Sequence, residues 1–164
     1  MTIILKNQYT LLYKEFTFKC CIGKYGSTKK KVEGDKKTPK GLYSLGSLFY
    51  RPDKVDRPET LLNCIKIKKS MGWCNDIKNK VKYNKLIKIN NKTKYEVLNR
   101  YDYKYDYFIP IKYNWNKPKI RKGSAIFIHL TKNYIPTAGC IALSKKDFLI
   151  LVKLIKKNTK IKIY

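Results

Sequence analysis

Residues 124–130 read SAIFIHL and give the strongest strand signal in the chain. The apolar run is almost continuous, which is typical of a strand that is buried on both faces. It contains His129, the only histidine among the 164 residues. A loop with Pro136 then leads to residues 137–143, which read TAGCIAL and place Cys140 shortly after the histidine. This segment therefore combines the strongest strand signal with the only histidine and a nearby cysteine.

Other short apolar segments predict a β-rich fold. Strand-forming Ile, Tyr, Phe and Val recur in most apolar clusters, and the first clusters alternate as in a β-meander. The further predicted strands are residues 2–5, 9–13, 16–22, 41–50, 105–111 and 160–164. Residues 23–40 are predicted to be a loop and residues 51–60 to be irregular, whereas residues 61–99 show little periodicity.

One helix is predicted, near residues 144–157. Ser144 is a good N-cap, and Asp147 follows three positions later as in a capping box. Apolar residues then recur at helical spacing, and lysines crowd the last turns, where they suit the helix dipole. We therefore predict a mostly β fold with one C-terminal helix. The length fits one core, so residues 1–164 are expected to form a single domain.

The charge balance is strongly basic, with 38 Lys and Arg against 11 Asp and Glu, for a formal net charge of +27. Such a charge attracts polyanions. However, the lysines are spread along the whole chain and no nucleic-acid-binding module is visible, so no nucleic-acid partner is expected. No stretch approaches the ~18 apolar residues needed to span a bilayer, and residues 1–23 lack the apolar run of a signal peptide.

Five cysteines occur, at positions 20, 21, 64, 74 and 140. Their number is odd and no CxxC pair is present, so the pattern gives no support to a zinc site or a disulfide framework. Cys20, Cys21 and Cys64 are interpreted as small buried hydrophobic residues. No metal and no other cofactor is predicted.

Cys140 and His129 are the candidates for nucleophile and general base. A reactive thiol needs a base within reach, and His129 is the only histidine available. The small residues Ala138 and Gly139 let the backbone approach a substrate carbonyl, so their amides, with that of Cys140, are candidates for an oxyanion hole. On these residues alone, a core histidine and a buried cysteine without chemistry remain an open alternative.

Several segments resemble the YkuD-type L,D-transpeptidases. The stretches GSAIFIHL and PTAGCIALS, within residues 123–144, are similar to the catalytic segment of a short subgroup with a TAGC motif. Residues 34–43, which read GDKKTPKGLY, resemble the family's GD-x-x-TP segment. The GWCND of residues 72–76 and the R-x-D, YD and YN pieces within residues 100–114 also agree, and the order is the same, so the resemblance covers nearly the whole chain.

The resemblance implies a β-sandwich-like catalytic domain that transfers acyl groups through a thioester. The implied donor is a tetrapeptide stem of peptidoglycan, which loses D-alanine, and the implied acceptor is an amine of another stem. By motif position, Cys140 is the nucleophile, His129 the general base and Gly139 a turn and oxyanion residue. Thr137 is expected to hydrogen-bond near the imidazole.

This sequence departs from the commoner S/T-H-G-C-x-R motif at two positions. Ala138 stands where the second histidine would be, and Ala142 stands at the arginine position. An anionic substrate favours a nearby cation, so another residue must supply it. The candidates for substrate binding are Arg100, Arg121, Trp73 and Asn114, with Lys122 and Lys132 as further possible cations.

Other functions stay open from the sequence. The same pair would serve an L,D-carboxypeptidase or amidase, in which water is the acceptor. A different class is a non-catalytic basic module that binds wall polymer or nucleic acid, and a third is an inactive relative. A wall enzyme is expected in the cell envelope or periplasm, although no signal peptide is visible. The oligomeric state is left open.

Overall fold

Fifteen short strands and one helix make up the protein in a computed structural model, which describes residues 1–164. The strands are β1 (Thr2–Leu5), β2 (Thr10–Tyr13), β3 (Phe16–Cys21), β4 (Ser27–Thr28), β5 (Thr38–Pro39), β6 (Gly41–Ser44), β7 (Leu48–Tyr50), β8 (Cys64–Lys66), β9 (Met71–Cys74), β10 (Leu86–Lys88), β11 (Tyr95–Val97), β12 (Tyr107–Pro110), β13 (Phe127–Leu130), β14 (Ile141–Leu143) and β15 (Lys160–Ile163). The helix is α1 (Lys145–Leu154). The predicted mostly β fold with one C-terminal helix is therefore confirmed.

Ten strands form one curled sheet in the order β6-β15-β1-β2-β3-β14-β13-β12-β7-β8. The strands β13 and β14 lie near its centre and pair in parallel, with His129 opposite Ala142. Their outer neighbours, β12 and β3, are antiparallel to them. A second sheet has the order β10-β9-β11, and β4 and β5 form a short two-stranded sheet.

The central strands are buried on both faces, as the SAIFIHL pattern predicts. Side chains alternate along a strand, so Ile128 and Leu130 join one apolar cluster while Phe127 belongs to another. The observed strand is shorter than the predicted one, because it begins only at Phe127. Ala125 has φ 52°, a left-handed conformation that interrupts an extended chain.

The larger cluster contains 25 buried residues and includes the apolar face of α1. Phe148, Leu151 and Val152 are fully buried there, and the Phe148 ring stacks on Tyr107 with centroids 5.9 Å apart. The helix begins where the sequence predicts, since the Ser144 hydroxyl accepts a hydrogen bond from the Asp147 amide at 3.1 Å. It ends before the predicted residue 157, because the chain after Leu154 becomes extended.

The smaller cluster contains eight buried residues on the opposite face of the sheet: Phe49, Ile67, Trp73, Leu98, Tyr105, Phe108, Phe127 and Cys140. Its centre is aromatic, with the Trp73 and Phe127 rings 5.2 Å apart and edge to face. The strand β9 brings Trp73 to this cluster from the weakly periodic middle of the chain. No helix has the length and apolar character needed to cross a bilayer.

Candidate active site

The pairing of β13 with β14 brings the two predicted catalytic residues to one face of the sheet. In parallel strands, opposed residues point to the same side, so His129 and Ala142 share a face. Cys140 precedes Ala142 by two residues, and its Sγ accepts a hydrogen bond from the Phe127 amide at 3.3 Å. Phe127 is two residues before His129, about 7 Å along the strand. Cys140 and His129 therefore lie on the same face of the sheet, and both line one cleft.

The Cys140 thiol is a neutral, buried group. The residue is 8% exposed, and the thiol donates to the Ala125 carbonyl at 3.3 Å. Burial raises the pKa of the thiol to about 12, although the Phe127 amide and the charge of Lys31 act in the opposite direction. The thiol is therefore protonated at neutral pH, and a base must remove its proton during attack.

His129 is held in the form of a base. Its Nδ1 lies 2.9 Å from the Leu130 carbonyl, which can only accept, so Nδ1 carries the proton and Nε2 is left with its lone pair. Burial lowers the pKa of His129 to about 4, so the ring is neutral at pH 7. The Tyr105 ring packs edge to face against the imidazole, with centroids 5.5 Å apart. The imidazole is thus oriented and ready to accept a proton.

Gly139 shapes the turn before the nucleophile. Its φ is 139°, and a Cβ placed there would lie 2.9 Å from the Lys37 carbonyl oxygen, so a side chain would be strained and crowded. The buried Thr38 hydroxyl donates to the Gly139 carbonyl at 2.9 Å and accepts from the Gly23 amide at 3.0 Å. The segment with the GD-x-x-TP pattern therefore clamps the turn that carries Cys140.

Thr137 stabilises this turn, and its hydroxyl bonds to the backbone of the turn rather than to the imidazole. Its hydroxyl donates to the Cys140 carbonyl at 2.6 Å and accepts from the Gly139 amide at 3.1 Å. The Gly139 amide is thus already engaged and is not a free oxyanion donor. The amides of Ala138 and Cys140 donate no hydrogen bond within the protein, so these two are the available donors.

Asn84 holds Ala125, whose carbonyl accepts a hydrogen bond from the Cys140 thiol. Its Oδ1 accepts from the Ala125 amide and from the Trp73 indole, each at 3.0 Å. Its Nδ2 donates to the carbonyls of Tyr113 and Asn114 at 3.0 Å and 2.7 Å. These bonds hold Ala125 in its left-handed conformation, in which its carbonyl accepts from the Cys140 thiol.

The cleft around Cys140 and His129 has a volume of about 500 Å³ and a highly charged lining. Its ionisable side chains, apart from the reactive pair and tyrosines, are Lys31, Lys94, Arg100, Lys104, Glu33 and Glu96. Ala142, which stands at the family's arginine position, also lines it. The cations thus come from other parts of the chain, and they give the cleft groups that attract a charged peptide.

Of the four predicted substrate-binding residues, the structure places only Arg100 in this cleft. Its guanidinium is fixed by Asp102, at 2.8 Å and 2.6 Å, and lies over the Tyr105 ring. The hydrogen bonds that Arg100 donates to Asp102 raise its already high pKa, which keeps it charged. Because Tyr105 contacts His129, this cation lies towards the imidazole end of the cleft.

The other three candidates are structural and lie outside the cleft. Trp73 is only 2% exposed and packs in the smaller apolar cluster. Asn114 adopts φ 49°, and its side chain closes a loop by bonds to Lys119 and Gly123. The Arg121 carbonyl accepts from the Glu33 amide, but its side chain does not line the cleft. Lys122 and Lys132 do not line it either.

Sequence reasoning missed several residues of the cleft, notably Lys31, Glu33, Glu96 and Lys104. Glu33 accepts hydrogen bonds from Ser124, at 2.7 Å, and from the Tyr83 hydroxyl. Lys31 and Glu33 gave a usable signal, because they lie within three residues before the glycine–aspartate pair of the GD-x-x-TP segment. Glu96 lies in the strand β11 and Lys104 in a loop, and neither segment has a sequence pattern that distinguishes these residues from the many exposed charges.

A curled β-sheet presents a cysteine and a histidine in one charged cleft, and these are the residue types that a cysteine-dependent catalytic domain needs. The sequence profile of YkuD, the L,D-transpeptidase catalytic domain, matches residues 1–163. The chain therefore belongs to the YkuD L,D-transpeptidase catalytic domain family.

One solved structure is similar, that of Bdellovibrio bacteriovorus Bd1075, with 17% sequence identity and a TM-score of 0.49. The similarity covers 99% of this chain and 47% of that one, so this chain spans about half of its length. Among curated proteins, none matches the chain.

Proposed function

We propose that the protein is an L,D-transpeptidase that transfers an acyl group from a peptidoglycan tetrapeptide stem through a thioester on Cys140. The observation that carries the proposal is the placement of Cys140 and His129 in one cleft, with Nδ1 of His129 bonded to the Leu130 carbonyl so that Nε2 keeps its lone pair. Family membership supports the reaction class. The proposed substrate belongs to the cell envelope, so the protein would act there.

The first half-reaction follows from the protonation states of the pair. Sγ attacks the carbonyl carbon of the stem's third residue, its proton passes to Nε2 of His129, and the carbonyl electrons move to oxygen. The amides of Ala138 and Cys140 are the donors available to that oxyanion. The C–N bond then breaks, Nε2 returns its proton to the departing D-alanine amine, and a thioester remains.

The second half-reaction consumes the thioester. An amine of another stem attacks the acyl carbon, gives a proton to Nε2, and forms the new amide as Sγ leaves. The thiolate then recovers a proton from the imidazolium, which restores the neutral pair. Water in place of the amine would give a carboxypeptidase by the same steps, so the acceptor decides between the two activities.

Cations and carboxylates in the cleft suit a peptide stem that carries charges of both signs. Arg100 and Lys104 line the cleft together with His129 and Ala142. The commoner motif has an arginine at the position of Ala142. A small residue at position 142 leaves that space open. We propose that Arg100 and Lys104 bind a stem carboxylate in place of the missing arginine.

The test begins with a carbapenem, an acylating β-lactam that L,D-transpeptidases typically accept. Intact-mass measurement should show one adduct on the wild type and none on Cys140→Ala. Cys64→Ala is the matched control, because Cys64 is a partly exposed free thiol outside the cleft and its loss should leave the adduct unchanged. A folded wild type without any adduct would refute the proposed chemistry.

A second assay identifies the acceptor. The protein is incubated with a tetrapeptide stem, with and without a second stem that offers a side-chain amine, and the products are resolved by mass. A cross-linked dimer with release of D-alanine supports transpeptidation. If D-alanine is released and only the tripeptide forms, even at high amine concentration, the activity is that of a carboxypeptidase and not of a transpeptidase.

A further inference from the structure

Lys31 is a buried cation that lines the Cys140 cleft and that the mechanism above does not use. It is 4% exposed, an unusual position for lysine. Its Nζ forms an ion pair with Asp35 and donates to the Val32 carbonyl at 3.1 Å. An ammonium has three hydrogens, so one remains without a partner in the protein.

The ammonium lies beside the turn that carries the nucleophile. Nζ is 3.7 Å from the position that a Cβ on Gly139 would occupy, and Gly139 directly precedes Cys140. Its alkyl chain packs closely against the backbone of Gly123, where an added Cβ would lie 2.9 Å from Lys31 Cγ. The cation is therefore held next to the reactive residue rather than free to move into solvent.

Asp35 fixes the ammonium. Its carboxylate accepts from Lys31 and from the amides of Val32 and Lys37, the latter two at 2.8 Å and 2.9 Å. Burial alone would raise the pKa of Asp35, but these hydrogen bonds outweigh it and lower the pKa. Since two backbone amides also satisfy this carboxylate, it keeps partners when Lys31 is replaced.

Charge formation is the costly step in this site. The thiol and the imidazole are both buried and neutral, so attack must create negative charge on sulfur and oxygen in surroundings that disfavour it. A fixed cation close to that position lowers the cost without any reorganisation during the reaction. The ammonium of Lys31 is so placed, on the Gly139 side of the thiol, whereas Arg100 lies on the side of His129.

We propose that Lys31 supplies the positive charge that stabilises the Cys140 thiolate and the adjoining oxyanion during acylation, with Asp35 holding it in place. The proposal deepens the proposed function and rests on it for the acylation step. The charge effect on the thiol itself needs no substrate, so it can be tested separately.

The charge test compares two alkylating reagents on Cys140 in a Cys64→Ala background. Iodoacetate is an anion and iodoacetamide is neutral, so the ratio of their rates reports the local charge, and peptide mapping assigns the reacted cysteine. Lys31→Met should lower the iodoacetate-to-iodoacetamide ratio about threefold or more, whereas Lys31→Arg should keep it. Lys146→Met is the matched control, because Lys146 is an exposed lysine on α1 outside the cleft.

A second variant shifts the ratio in the opposite direction. Asp35→Asn removes the opposing charge but keeps an acceptor for Lys31, so the ratio should rise. This variant keeps the test decisive if Lys31→Met fails to fold. An unchanged ratio in folded Lys31→Met, or in Asp35→Asn when the former does not fold, overturns the proposal.

The acylation rate then links this charge to catalysis. Carbapenem acylation should be at least about tenfold slower in Lys31→Met and nearly normal in Lys31→Arg and Lys146→Met. Equal rates in Lys31→Met and the parent would overturn the catalytic part. A parent that reacts with alkylating reagents but not with carbapenem would instead indicate that the proposed function has failed.

Discussion

Acidification from pH 6.5 to pH 5 should destabilise the protein through His129 alone. Burial lowers the pKa of this histidine to about 4 in the folded state, compared with about 6.5 when the chain is unfolded. In this pH range His129 binds a proton in the unfolded chain but stays neutral in the folded protein. The free energy of unfolding therefore decreases as the pH is lowered. Its slope approaches a limit of about 1.4 kcal/mol per pH unit.

The size of the effect follows from the two pKa values. With one group moving from about 6.5 to about 4, the loss between pH 6.5 and pH 5 is roughly 1.6 kcal/mol, and the total approaches about 3 kcal/mol in stronger acid. The pKa values of Asp35, Asp53, Asp76 and Asp102 are lowered, so their contributions are also lost in acid. Those losses begin near the unfolded pKa of about 3.9, below the chosen window.

Urea unfolding at pH 6.5, 5.75 and 5.0 measures this loss, with the fluorescence of the two tryptophans as the signal. His129→Gln, which cannot titrate, is the control and should show a nearly flat profile. The wild type contains one histidine, so its imidazole resonance in an NMR titration gives the folded pKa directly. A flat wild-type profile, parallel profiles for the two proteins, or an NMR midpoint near 6.5 would refute the reasoning.

Three substitutions test the remaining parts of the site. Cys140→Ala should abolish turnover while circular dichroism shows an unchanged fold. Gly139→Ala should destabilise the protein by about 1–3 kcal/mol and slow carbapenem acylation, because φ 139° and the nearby Lys37 carbonyl leave no room for a methyl group; normal acylation would contradict the importance of this turn. Asn84→Ala should cost about 2–3 kcal/mol in urea unfolding, since it leaves the buried Trp73 indole without its acceptor. Asn84→Asp should also destabilise the protein, because it places a buried carboxylate against the Tyr113 and Asn114 carbonyls.

The sequence predicted the central strand and the helix, and it singled out Cys140 and His129, because each has a local signal. The near-continuous apolar run marks a strand buried on both faces, and Ser144 with Asp147 marks the helix start. The Cys140 and His129 segments occupy neighbouring strands, so a short stretch of sequence contains most of their geometry.

The charged wall of the cleft could not be predicted in the same way. Lys31 and Lys104 are two of many lysines, and only long-range folding separates them from the exposed ones. Trp73 and Asn114 carried motif-like signals, but packing and loop closure account for them. The motif position of Thr137 did not predict its hydrogen-bond partner, since a hydroxyl beside a turn bonds first to the backbone of that turn.

The sheet order has a consequence for synthesis of the protein. The strand β14, next to Cys140, pairs with β3, and β15 inserts between β1 and β6. A growing chain that has only its first hundred residues lacks the partners for these early strands. Non-local pairings of this kind form slowly and late. Cys140 and His129 therefore reach their positions in the sheet only after β14 has emerged and paired with β3 and β13.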